Sequence, residues 1–181
     1  MSFVILAELS FFSGHCIYID SEGSFLPERV AEIANSFVTY VKRLAEGRQL
    51  TERERLEADE LTVESIMSSI YYFRVHHYVE QIALVNLLKD RITRELPRVK
   101  LIVIDSVAFL FRRNFSDYAV RNRLLANMSQ TLIELAKEHK IAVVLMNQVT
   151  TKFVRGQSQL VPALGETWVS QAARGLFFWR H

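Results

Sequence analysis

Little in this sequence can cross-link, break or loosen a chain: one cysteine (Cys16), three prolines and six glycines among 181 residues. A single thiol excludes an internal disulfide and fits a reducing compartment. Sparse glycine and proline, with half of the residues apolar, exclude the low-complexity and disordered classes. Charge of one sign is also missing. The 22 Lys and Arg against 20 Asp and Glu leave a formal +2, so a surface for a polyanion has to come from local clustering, not from bulk charge. There is no run long enough to span a bilayer. The apolar stretch Met1–Phe12 is short, is interrupted by Glu8 and has no basic residues before it, which argues against a membrane helix and a secretory leader. The pair His76-His77 lacks a cysteine or acid at metal-ligand spacing, which argues against a zinc site. No Ser/His/Asp arrangement sits in a nucleophile-elbow context.

What remains is an alternation of short apolar runs with helical patterns. His15–Ile19 reads as a strand closed by Asp20 and followed by the turn-like Ser21-Glu22-Gly23-Ser24. Pro27 suits a first helical position, and Val30, Ile33, Ala34, Phe37, Val38, Val41 and Leu44 recur at helical spacing up to Gly47. Arg48–Glu60 mixes charges of both signs and reads as a solvated helix face or loop. Thr62 caps a short helix before a second strand, Ile70–Val75; a helix from Tyr78 past Leu88 stops before Pro97. The run Val99–Asp105 is a third strand, a long helix carries Leu124, Leu125, Met128, Leu132, Leu135 and Ala136, and Ile141–Met146 is a fourth strand ending at Asn147-Gln148. Strands that are continuous apolar runs separated by helices predict an α/β fold with a mostly parallel sheet buried on both faces.

In such sheets ligands bind beyond the carboxyl ends of the strands, where this sequence places Asp20 with Glu22, Asp105 with Ser106, and Asn147 with Gln148. An acid directly after apolar strand residues can hold Mg²⁺, directly or through water, beside phosphates, as Asp105 would. Glu22 is placed to orient an attacking water, and the Gln148 amide to sense a terminal phosphate. Each residue, taken alone, also fits a turn cap or a strand-end amide satisfying backbone groups; their joint occurrence in chain order favours the shared crevice. Two stretches suit sequence-independent contact with nucleic-acid phosphates: Arg112, Arg113, Arg121 and Arg123 after the third strand, and Lys152 and Arg155 after the fourth. From charge alone, an ordinary solvated helix start and surface loop is the favoured reading of both stretches.

Beside this reading stands a resemblance. Ile17-Tyr18-Ile19-Asp20-Ser21-Glu22-Gly23-Ser24-Phe25 with Pro27-Glu28-Arg29, Leu101–Ser106, and Asn147–Lys152 closely resemble segments of the eukaryotic RecA-like strand-exchange recombinases. Ile70–Arg74, Ala108-Phe109 with Phe111-Arg112, and Leu160–Trp168 resemble the C-type paralogue group of that family, which acts in DNA repair. The resemblance runs from about His15 to the C-terminus. It implies a RecA-like P-loop NTPase core in the nucleus that binds ATP and Mg²⁺ and acts on single-stranded or branched DNA in homologous recombination, within heteromeric complexes of paralogues and without a membrane. By that resemblance Glu22 and Gln148 are catalytic, Asp105 is the magnesium ligand, and Asp20, Arg29, Asp105 and Ser106 belong to the nucleotide site. The DNA loops fall at about Arg112–Arg123 and Thr150–Ala173.

The departures are as informative. No G-x-x-x-x-G-K-[ST] occurs in the 181 residues, so the backbone cradle, lysine and hydroxyl that grip phosphates are not supplied here. The expected organisation is therefore a divergent apolar segment, residues 1–14, followed by a partial RecA-like ATPase core, residues 15–181. That core is expected to be truncated at both ends, with the P-loop strand and helix missing. Met1–Phe12 is expected to substitute as a strand. Whether the chain is an enzyme stays open: the isolated chain is expected not to bind or hydrolyse ATP, and the alternative is a non-catalytic DNA- or partner-binding module of the same fold.

Overall fold

The computed structural model describes residues 14–47, 51–113, 115, 117–154, 157–165 and 179–180. Two compact units are present, Met1–Cys16 with Ser24–Tyr71, and Ile17–Gly23 with Tyr72–His181. The expected substitute strand at Met1–Phe12 lies outside the described residues, as does Arg155 and the side chain of Arg113.

In the smaller unit, helix α1 (Pro27–Glu46) starts with its proline in the first turn and ends at Gly47, where proline's missing N–H costs no helical bond. The charged stretch folds as α2 (Glu52–Glu60), opened by a reciprocal capping box between Thr51 and Glu54. Thr62 caps α3 (Val63–Ser68), accepting from the Ser65 amide, in line with the sequence pattern. These two caps satisfy donors that a helix start otherwise leaves unpaired. Val38 and Val41 of α1 pack with Leu61, bordered by Phe37, Val63 and Ile66. The apolar period along α1 is thus its core-facing stripe, although Ile33 and Tyr40 are exposed.

The larger unit is built on a mostly parallel sheet of order β2-β1-β3-β4. The strands are β1 (His15–Asp20), β2 (Ile70–Arg74), β3 (Val99–Asp105) and β4 (Ala142–Leu145), the first residues of β1 and β2 being counted with the smaller unit. Strands β3 and β4 run parallel, with Leu101 opposite Ala142 and Ile104 opposite Leu145. Helices α4 (Tyr78–Arg94) and α6 (Tyr118–His139) pack on each other. Ile17, Ile19, Val85, Leu88, Ile102, Ile104, Leu125, Met128 and Leu135 are almost wholly buried in this unit, so each contributes about 1.5–3 kcal/mol by leaving water. Asp117 caps α6 by accepting from the Ala119 and Val120 amides, and Lys140 closes it in the left-handed conformation at φ 54°. No helix among the described residues is long and apolar enough to cross a membrane.

After β4 the chain departs from expectation. The stretch that reads as a strand tip running into a flexible loop instead forms β5 (Asn147–Val154) and β6 (Gln157–Pro162), an antiparallel hairpin with Val149 opposite Pro162 and Val154 opposite Gln157. The residues explain it. Val149, Thr151 and Phe153 share one face with Ser158, Leu160 and Pro162, and Thr150 and Lys152 share the other with Gln157, Gln159 and Val161, a partial period of two rich in β-branched residues that suits a strand. Asn147 and Gln148 pair in parallel with β7 (Trp179–Arg180).

Candidate functional site

The tips of β1, β3 and β5 bring the expected residues together. Ser106 Oγ donates to Glu22 Oε1 at 2.6 Å, and Gln148 Nε2 donates to the same oxygen at 2.7 Å. Residues 84 and 126 positions away in sequence thus meet on one carboxylate atom. Backbone geometry sets this up. The Ser21 amide donates to the Asp105 carbonyl at 2.7 Å, and the Ser21 hydroxyl bridges the Ser106 carbonyl and amide at 2.7 and 2.8 Å. The turn after β1 is therefore stitched to the end of β3, where the Asp105–Ser106 peptide is cis.

Asp105 is buried, at 6% exposure, and its Oδ2 accepts from the Tyr18 hydroxyl at 2.7 Å. A phenol donor on one oxygen orients a carboxylate in the way outer partners orient metal ligands. Asp20 is more deeply placed, with no exposure. Its Oδ1 accepts from the Glu22 and Gly23 amides at 2.9 and 2.6 Å, and its Oδ2 from the Tyr72 hydroxyl at 3.0 Å. The Arg74 guanidinium lies 3.8 Å from that carboxylate and donates to the Asp20 carbonyl at 2.8 Å. Burial, then the bond to Asp20, pushes the Tyr72 hydroxyl above the ordinary tyrosine range. Gly23 sits at φ 78°, and a Cβ there would come 3.1 Å from Arg74 Nη2. Glycine is thus favoured by conformation, and a Cβ would in addition need the Arg74 side chain to give by a few tenths of an ångström.

The basic candidates are distributed differently. Arg112, from helix α5 (Val107–Arg113), is exposed and donates through Nη1 to Gln148 Oε1 at 2.8 Å. Arg121 lies over the Tyr118 ring at 4.9 Å and bonds the Asn122 side chain. Arg123 and Lys152 are exposed. Arg29 belongs to the other unit, where it is exposed and pairs with Glu32 at 2.7 Å.

Tyr18, Tyr72 and Arg74 are not among the residues that the sequence motifs single out, although a signal exists. Tyr18 shares a strand face with Asp20, and Tyr72 with Arg74, because alternate strand residues project to the same side. Polar groups repeating at a spacing of two inside apolar strands ask for partners at the sheet rim.

As to the nucleotide and metal that the fold suggests, the acidic half of the site fits. Two carboxylates, Asp105 and Glu22, stand at adjoining strand tips with a hydroxyl and an amide beside them, a donor set suited to a hydrated Mg²⁺ and a polarised water. Among the described residues no group of three or more His, Cys, Asp or Glu forms a closed metal cage. That leaves water to complete any coordination by Asp105, as Mg²⁺ tolerates well. The phosphate cradle has no counterpart motif in the 181 residues.

Comparison with known proteins agrees with this geometry. The chain is 41% identical over 168 residues to the DNA repair protein RAD51 homolog 3 of Cricetulus griseus, covering 92% of this chain and 45% of that protein. It is 39% identical over 170 residues to the Dictyostelium discoideum protein of the same name, covering 92% and 43%. To a meiotic recombination protein DMC1 homolog of Lilium longiflorum it is 30% identical over 140 residues, covering 76% and 33%. It spans less than half the length of each relative. Residues 48–164 match the Rad51 family model. On the strength of that match and of the identity to these relatives over most of its length, the chain belongs to the Rad51 family.

Proposed function

We propose that this chain supplies the metal- and water-handling rim of an ATP-dependent DNA-recombination site. The observation that carries the reading is the convergence of Ser106 and Gln148 on Glu22 Oε1 beside the Asp105 carboxylate. In it Asp105 holds Mg²⁺ through water, Glu22 orients and deprotonates the attacking water, and Gln148 reports the state of the terminal phosphate. A bound Mg²⁺ would neutralise charge on the phosphates during transfer. Asp20 belongs to the site through the turn it ties, positioning Glu22, and Ser106 through its bond to that carboxylate. Arg29 is assigned beside the adenine by resemblance. Arg112, Arg113, Arg121, Arg123, Lys152 and Arg155 run along DNA phosphates, single-stranded or branched. The partners are other recombinase paralogues in a heteromeric complex, and the place of action is the nucleus.

A second reading, a non-catalytic DNA- or partner-binding module, is favoured by the missing phosphate-gripping motif. The first reading, and the DNA-binding form of the second, need DNA contact. Fluorescence anisotropy with a single-stranded oligonucleotide should give weak binding that falls steeply with salt. Neutralising Arg112, Arg113, Arg121 and Arg123 together should flatten the log–log slope by about one unit for each phosphate that is no longer neutralised. An unaltered slope clears these arginines of the role. Calorimetry with Mg-ATP tests the second reading: the isolated chain is expected to show no micromolar binding, and micromolar binding would rule out the bare module.

A further inference from the structure

We infer that Arg112 is a positioning residue that fixes the orientation of the Gln148 amide, and that a nucleic-acid phosphate competing for its guanidinium releases Gln148 from Glu22. The inference rests on reading Glu22 and Gln148 as the hydrolytic pair and adds its regulation by the polyanion.

The two bonds on Gln148 constrain each other. An amide has an acceptor side and a donor side. Arg112, which can only donate, occupies Oε1 at 2.8 Å, so Nε2 must face Glu22, where it donates at 2.7 Å. If the amide turned over, two donors would confront each other at Arg112 and two acceptors at Glu22. Arg112 thus decides which group Gln148 presents to the carboxylate, without touching that carboxylate itself.

The grip is of a kind that can be exchanged. Arg112 is exposed, and the partner it holds is a neutral amide oxygen. No ion pair with a carboxylate holds it among the described residues. A phosphate offers anionic oxygens in the bidentate geometry that a guanidinium prefers, so it answers the positive charge with a full negative charge and two bonds where the amide oxygen offers a dipole and one. The arrangement differs sharply from that of Arg74, which lies against a fully buried carboxylate and is not accessible to exchange in the same way. Arg112 also sits at the end of α5, the helix that begins one residue after Ser106, so the element carrying the sensor arginine starts at the site it would report to.

The test uses the full 181-residue chain, labelled with ¹⁵N and free of nucleotide. The Gln148 side-chain amide signal is assigned by its loss in Gln148→Met. Addition of a mixed-sequence single-stranded oligonucleotide should shift that signal and speed its exchange with solvent. Inorganic tripolyphosphate, the control for free phosphate chemistry, should require far higher phosphate concentration if the strand is the ligand; an equal response at equal phosphate assigns the effect to free phosphate and overturns the nucleic-acid assignment. Arg112→Ala should show the shifted, fast-exchanging signal before any addition and a salt slope lower by about one. Arg112→Lys, which keeps a donor, should restore the starting position. An Arg112→Ala signal that coincides with wild type, or an oligonucleotide that binds without moving it or fails to bind, overturns the proposal. Because no nucleotide is present, these results stand apart from the Mg-ATP titration: a responsive Gln148 supports the relay whatever that titration shows, and a failed titration counts against the hydrolytic reading, not against the relay.

Discussion

The two sides of Glu22 are held by different means. On the β1 side, the turn that carries it is tied by a fully buried carboxylate that accepts two backbone amides and a phenol and faces an arginine. On the β5 side, a half-buried amide reaches it while leaning on one exposed arginine. The first arrangement has buried polar groups whose partners cannot be removed without leaving others unsatisfied, which makes it rigid. The second exchanges partners with solvent at little cost. A site that must stay poised and yet answer to a ligand needs both, a fixed carboxylate and a movable neighbour.

The largest effect that would separate the two sides comes from Asp20→Ala. It strips acceptors from the Glu22 and Gly23 amides and the Tyr72 hydroxyl and leaves Arg74 without its anion, so a loss of about 3 kcal/mol is expected. Urea denaturation measures it, and Asp20→Asn, which keeps an acceptor for the turn, should recover part of the loss. A cost below about 1 kcal/mol, the size of one ordinary hydrogen bond, would mean that the β1 side is no more rigid than the β5 side.

Most of this architecture is legible in the amino-acid sequence. Apolar runs ending in Asp20, Asp105 and Asn147-Gln148 announce strands and their polar tips, because burial on both faces and a polar rim leave a pattern that local sequence cannot hide. Chain order predicts the convergence of Glu22, Ser106 and Gln148, and the side-chain bonds give it a geometry. Two things are harder to read. The roles of Tyr18 and Arg74 depend on which strands are neighbours, a property of the order β2-β1-β3-β4 that no single strand's sequence states. The β5–β6 hairpin is masked because Lys152, Gln157 and Gln159 have the chemistry of a loop, while the alternation with Val149, Thr151, Phe153 and Leu160 carries the secondary structure. Charge describes the surface; periodicity describes the backbone.

A smaller effect sharpens the contrast from within the turn. Gly23→Ala places a methyl at φ 78° and 3.1 Å from Arg74 Nη2. The left-handed conformation alone costs a residue with Cβ about 1–2 kcal/mol. Arg74 has some room to yield, since its side chain is 30% exposed, so the total should stay within that range. Thermal denaturation checks the cost. If the loss vanishes in the Arg74→Ala background, the arginine and not the backbone was the constraint; if it persists unchanged, conformation was.

The smallest effect is expected where the relay is most consequential. Arg112→Ala removes one bond from an exposed guanidinium to a neutral amide oxygen, and substitutions of that kind fall within about 0.5 kcal/mol of wild type. Gln148 loses the donor that fixes its amide, and water replaces the arginine at Oε1. Stability and orientation are thereby uncoupled: the urea midpoint should stay put while the Gln148 amide changes its exchange behaviour. A loss of about 2 kcal/mol or more, beyond what a single exposed bond supplies, would show that Arg112 is structural in the manner of Arg74, and the distinction between a locked side and a responsive side of Glu22 would no longer hold.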